Sequence, residues 1–179
     1  MSGASVTDAD RAAVQRQLGR PARGVLAVAH RCECGEPDVV ATSPRLPDGT
    51  PFPTLYYLTC PRLTGAVSTL EAEGRMREMQ DRLGDDEQLR AQYVQAHERY
   101  LAEREAIEIV PETSNVTAGG MPSRVKCLHV LVGQSLASGP GVNPLGDEAL
   151  AELRERGLIR GVTCADRAAN DASRQDGRA

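Results

Sequence analysis

Residues 24–61 read GVLAVAHRCECGEPDVVATSPRLPDGTPFPTLYYLTCP, and this stretch decides the fold class. Gly24 to Arg31 (GVLAVAHR) and Asp38 to Ser43 (DVVATS) are Val-rich runs bounded by breakers, which predicts two strands. Cys32-Glu33-Cys34-Gly35-Glu36-Pro37 lies between them as a hairpin connection, with a glycine for an unusual backbone angle. Pro44 to Pro53 is a long loop in which Pro47-Asp48-Gly49 signals a turn. Thr54 to Thr59 (TLYYLT) is a strongly β-prone third strand. Three such strands in succession predict a small antiparallel meander.

The flanking chain is helical. Thr7 to Leu18 carries a cap-like Thr7 and Asp10, places Val14 and Leu18 on one face, and is stopped by Gly19 and Pro21. Pro61 suits the first position of a helix, because its missing N–H costs nothing there. Val67, Leu70 and Met76 carry the apolar spacing, with a break at Gly74 and a continuation to Gly84. Asp85 or Asp86 then caps a long helix to about Ile109, striped by Leu89, Tyr93, Ala96, Tyr100 and Ile107. Pro111 to Pro122 is a loop. Ser123 to Ala137 (SRVKCLHVLVGQSLA) is the most apolar helical stretch and is expected to be central. A Gly/Pro/Asn loop, Gly139 to Gly146, precedes an amphipathic helix from Asp147 to Arg156. The expectation is an α+β protein: a three-stranded antiparallel sheet packed against about five or six helices. Residues 1–165 form one domain in this reading, and the small polar residues 166–179 form a disordered tail.

Composition narrows the function classes. The chain has 179 residues and a net charge of −4, with basic residues interleaved among acids, which argues against a nucleic-acid binder. No apolar run approaches the roughly 18 residues that span a membrane. The polar N-terminus lacks the apolar core of a signal peptide. A cytoplasmic location without membrane insertion is expected, in which the five cysteines stay reduced; their odd number also argues against a disulfide framework.

Three sets of residues carry candidate chemistry. A meander directs the first and third strands the same way, so Cys32, Cys34 and Cys60 fall along one sheet edge. With Cys127 and His129 they supply the thiolate and imidazole donors that zinc takes. Cys32, Cys60, Cys127 and His129 form the candidate ligand set, with Cys34 a lesser member because C-x-C is not the C-x2-C knuckle. Cys127 and His129 stand about 200° apart on a regular helix, so sharing one ion requires an irregular helix there. The alternative for these thiols is simple burial, common for cysteine. Cys60 at a helix N-terminus also fits an activated thiolate, with His30, His97 or His129 as a base. The second set is Gly119, Gly120, Ser123, Arg124 and Lys126, a Gly-containing entry to a helix whose free N–H groups and cations suit an anion. It matches neither the P-loop nor the dinucleotide fingerprint, and the plainer alternative is a flexible approach to a helix capped by Ser123, with two solvated cations. The third is His129, a candidate acid/base on the same helix as Arg124 and Lys126.

Arg31-Cys32 through Gly35-Glu36-Pro37, Leu46-Pro47-Asp48-Gly49-Thr50-Pro51-Phe52-Pro53-Thr54-Leu55-Tyr56-Tyr57-Leu58-Thr59-Cys60-Pro61, and Gly119-Gly120-Met121-Pro122 with Val125-Lys126-Cys127-Leu128-His129 together resemble the bacterial domain of unknown function 501 family. The likeness spans roughly residues 8 to 157. It implies a small cytoplasmic protein of a mainly actinobacterial family, and it brings no settled activity. Members vary at the positions of Cys34 and Cys60, so the resemblance points to Lys126-Cys127-Leu128-His129 as the centre.

The favoured expectation is a non-enzymatic accessory protein that binds a protein partner, a metal such as zinc, or an anion around the central helix. One alternative is an enzyme for a phosphorylated or anionic small molecule, with His129 as acid/base and Arg124 and Lys126 as clamp. Another is a thiol-redox protein using Cys32, Cys34 and Cys60.

Overall fold

The computed structural model describes residues 4–159. Its sheet follows the order β1-β2-β3-β4, with β1 at Ala4–Ser5, β2 at Val25–Arg31, β3 at Pro37–Thr42 and β4 at Tyr56–Leu58, every neighbour antiparallel. The expected three-stranded meander is present as β2, β3 and β4, and the two residues of β1 extend it at one edge. Six helices accompany it among the described residues: α1 (Asp8–Leu18), α2 (Pro61–Ala72), α3 (Arg75–Asp85), α4 (Glu87–Glu105), α5 (Leu128–Ser138) and α6 (Pro144–Glu155). The fold is α+β. The expected tail at 166–179 lies outside the described residues.

Local chemistry accounts for most boundaries. Thr7 Oγ1 accepts from the Asp10 amide while the Asp10 carboxylate accepts from the Thr7 amide, a reciprocal cap that starts α1. Gly19 ends that helix in the left-handed region at φ 67°, where a side chain would be strained. Asp86 caps α4 by accepting from the Leu89 amide at 2.9 Å. In the 44–53 loop, Asp48 Oδ1 accepts from the Thr50 amide, which closes the Pro-Asp-Gly turn.

Three boundaries depart from expectation. The central helix begins at Leu128 rather than Ser123. Gln80 of α3 accepts from the Val125 amide and donates to the Ser123 carbonyl, and the Tyr93 hydroxyl donates to the Arg124 carbonyl. These tertiary bonds hold 123–125 non-helical and override its local pattern. The long helix α4 stops at Glu105, short of Ile109. Arg104, 1% exposed, donates to the carbonyls of Pro53, Thr113 and Val116 and so draws the following chain back across the helix end. The last helix starts at Pro144, because Asn143 accepts from the Gly146 amide as N-cap and Pro144 fills the first turn.

The core lies around α5, whose residues 128 and 130–135 are all buried. It packs chiefly against α6 and β4, and also against α2. Two glycines permit the close approach. A Cβ on Gly133 would sit 3.0 Å from the Tyr56 carbonyl oxygen, and one on Gly146 would collide with the Leu131 carbonyl. Between α5 and α6, Gln134 donates to the Ala96 carbonyl and accepts from Asn143, so this buried polar pair is satisfied. No helix among the described residues is long and apolar enough to cross a membrane.

Candidate functional site

The face of α2 turned toward α5 carries Thr64, Ser68 and Glu71, spaced four and then three residues apart along one helical side. Cys127 immediately precedes α5 in extended conformation, at φ −158° and ψ 110°, and His129 lies in the first turn. This change of backbone removes the angular conflict expected of a regular helix. Cys127 and His129 therefore address one point.

Glu71 completes the group. One donor atom each from Glu71, Cys127 and His129 lie within 4.8 Å of one another. His129 Nδ1 is 3.1 Å from Glu71 Oε1 and 3.9 Å from Cys127 Sγ. Its Nε2 is 3.2 Å from the Thr64 carbonyl oxygen and 3.4 Å from Ser68 Oγ. A carbonyl only accepts, so Nε2 carries hydrogen. A carboxylate also only accepts, so without a metal Nδ1 carries hydrogen as well and the ring is an imidazolium. The Cys127 sulfur and the Glu71 carboxylate both favour that charged form against burial, and raise the His129 pKa to about 10.

Burial pushes the Glu71 carboxyl upward, but the hydrogen bond and charge of His129 and the amides of Leu128 and His129 outweigh it and hold the carboxyl below its ordinary value. Glu71 Oε1 accepts from the Leu128 amide at 2.7 Å. Cys127 makes no side-chain cap, so a carboxylate from α2 occupies the positive end of α5 in its place. Sequence reading missed Glu71. Its signal was the α2 face shared with Thr64 and Ser68, and recognising it required knowing that α5 starts opposite.

The other sequence candidates are dispersed. Cys32 and Cys34 are joined as a disulfide, Cα to Cα 5.3 Å, which corrects the expectation of reduced thiols: a tight turn brings C-x-C into bonding range. Cys60 is 3% exposed, packs in the main core cluster and precedes α2. The meander does put Cys32 and Cys60 at the same end of the sheet, but β3 runs between their strands. Neither joins Cys127 and His129, so the four-residue ligand set is not assembled.

The anion candidates sit before α5, not at its start. Arg124 and Lys126 donate their amides to the carbonyls of Gly120 and Gly119, and the Val125 amide goes to Gln80. Ser123, Arg124 and Lys126 are exposed. The amides of residues 124–126 are thus spent on the protein itself. His30 bonds Asp38 at 2.7 Å, and His97 is buried in α4.

Chemically, the cluster differs from a nucleophile–histidine–acid relay, which uses opposite ring nitrogens for nucleophile and acid. Here sulfur and carboxylate both gather at Nδ1. The arrangement would suit a ligating histidine, with its other nitrogen oriented by a backbone carbonyl. With tetrahedral bonds of about 2.0–2.3 Å, zinc ligands stand roughly 3.3–3.8 Å apart. The observed 3.1 and 3.9 Å lie just either side of that span, and all three donor atoms lie within 4.8 Å of one another. The side chains of His129 and Glu71 are 26% and 22% exposed, which leaves the group reachable from solvent.

A family model described as "Protein of unknown function (DUF501)" matches residues 28–151, a segment containing every residue of the cluster and the Cys32–Cys34 turn. No curated protein and no solved structure matches the chain.

Proposed function

Because the chain belongs to the DUF501 family, whose description assigns no activity, we propose a function from the site itself: a non-enzymatic accessory protein that binds one zinc-class divalent ion through Glu71, Cys127 and His129. The observation that carries this reading is the orientation of His129. Its Nε2–H is held by the Thr64 carbonyl, and Nδ1 faces both other donors. A mixed S, N and O donor set with three protein ligands suits zinc and leaves a fourth position for water or a partner's ligand.

Without metal, a proton on Nδ1 holds the same three groups together. Zinc replaces that proton and takes Cys127 as thiolate, so binding releases protons and tightens as pH rises. The ligand set exchanges the expected Cys32 and Cys60 for Glu71.

Elemental analysis of protein purified under reducing conditions, followed by zinc titration against a chromophoric chelator, tests the reading. One zinc per chain is expected, abolished by Cys127→Ser and by His129→Gln while the fold persists by circular dichroism. Folded wild-type protein that takes up no zinc at micromolar concentration would overturn it.

A further inference from the structure

We infer that Cys32 and Cys34 form a thiol–disulfide exchange site, passing between disulfide and dithiol by reaction with a small monothiol. The bond spans one intervening residue, Glu33, in the turn between β2 and β3. A disulfide stabilises a fold by restricting the unfolded chain, and the effect grows with the loop it closes, so this loop is close to the least rewarding. The turn is already closed without it. The Cys32 amide donates to the Glu36 carbonyl at 3.0 Å, the Gly35 amide to the Cys32 carbonyl at 2.9 Å, and Arg31 Nη1 to the Gly35 carbonyl at 3.0 Å. The bond therefore repeats a restraint that the backbone supplies, and a role in chemistry accounts for it better than a role in stability.

Access agrees with this. Both cysteines are half-buried, and Glu33 and Gly35 beside them are exposed. The pair thus lies at the surface, unlike Cys60 in the core.

The reaction balances with the monothiol alone. A thiolate attacks one sulfur, the Cys32–Cys34 bond breaks, and a mixed disulfide forms on the attacked cysteine. The other cysteine leaves as thiolate and takes up the proton that the incoming thiol lost. A second monothiol then attacks the mixed disulfide and departs as the oxidised dimer. Two monothiols are oxidised to one disulfide, and the protein disulfide is reduced to two thiols.

The test equilibrates the full chain, with chelator present, in anaerobic mixtures of reduced and oxidised glutathione. Acid quenching, alkylation and peptide mass spectrometry then count the free thiols at each cysteine. Cys32 and Cys34 are expected to pass together from both blocked to both alkylated within the range of accessible ratios. Cys34→Ser is expected to trap glutathione on Cys32. A pair alkylated at every ratio, or blocked at every ratio, would overturn the proposal without any variant being needed. The thermal midpoint of Cys34→Ser is expected within about 2 °C of the oxidised wild type; a much larger drop would make the bond a structural staple and overturn the proposal.

Discussion

The Cys32–Cys34 turn and the Glu71–Cys127–His129 cluster both bring sulfur near the surface, yet the fold supports them in opposite ways. The cluster is fixed from behind. Cys127 and His129 sit where α5 begins, residues 128 and 130–135 of α5 are buried, and α6 and β4 press against it at two glycines. Around the turn there is room: beyond Gly35 and its own chain neighbours, nothing lies within 4 Å of where a Cβ on Gly35 would be. A ligand set needs donors held at fixed separations, which requires rigid elements. A disulfide that exchanges partners requires room around it. What lies behind each sulfur, a packed helix start or open space, sets which chemistry it could support.

The largest break in that contrast comes from Gly146→Ala. The new methyl meets the Leu131 backbone, which cannot swing aside as a side-chain end could. Chemical denaturation is expected to show a loss of about 3 kcal/mol, at the upper end for overpacking. Zinc affinity should fall with it, because a shift of α5 moves His129 in its first turn and Cys127 just before it. An unchanged affinity at reduced stability would mean that the cluster does not rely on this frame.

Removing a ligand tests the cluster alone. His129→Gln or Cys127→Ser, each removing one of three ligands, is expected to abolish stoichiometric zinc uptake, a loss of affinity of at least about 100-fold or 2.7 kcal/mol by competition titration. Cys32→Ser and Cys34→Ser should leave it within about two-fold, since additivity holds for sites with no shared partners. Equal losses in both pairs of variants would erase the distinction between the regions.

The sequence showed one region more fully than the other. The hairpin was readable because Val-rich runs and Gly35 are local signals that the strands and turn obey. The cluster was half readable. Cys127 and His129 were identified from their residue types, but Glu71 lies 58 residues from His129 and met it through helix packing. Ser123 to Cys127 reads as helix from its pattern and is non-helical because Gln80 and Tyr93 bind its backbone. Arg104 gave no sign either: a helix-end arginine normally faces solvent, and three backbone carbonyls bury this one. Disulfide formation at Cys32 and Cys34 went against arguments from compartment and cysteine count, neither of which sees the geometry of a single turn.

The pH response separates the regions more finely. His129 has a folded pKa raised to about 10 from an ordinary 6.5. Its interactions with Cys127 and Glu71 therefore contribute stability fully below about 6.5, and that contribution is lost as pH rises through about 10. Metal-free protein should become less stable across this window while its zinc affinity grows, because hydrogen ions and zinc compete for Nδ1. Glu71→Gln should flatten the stability profile, read as denaturation midpoints at a series of pH values. NMR titration of the His129 ring should show the raised pKa directly. A ring titrating near 6.5 in the metal-free protein would contradict the described hydrogen bonds.

The smallest expected effect lies in the turn. Gly35 has φ +83°, a conformation that other residues adopt with strain, and space around it is open. Gly35→Ala is therefore penalised by backbone strain alone, about 1 kcal/mol. Zinc affinity should not change, because no ligand is on the hairpin. If the loss instead approaches that of Gly146→Ala, the turn is as firmly built into the fold as α5. The Cys32–Cys34 bond would then have to be understood together with that rigidity. If the loss is near 1 kcal/mol, a local distortion stays in the turn, as a site that opens and closes a covalent bond without disturbing the Glu71–Cys127–His129 cluster requires.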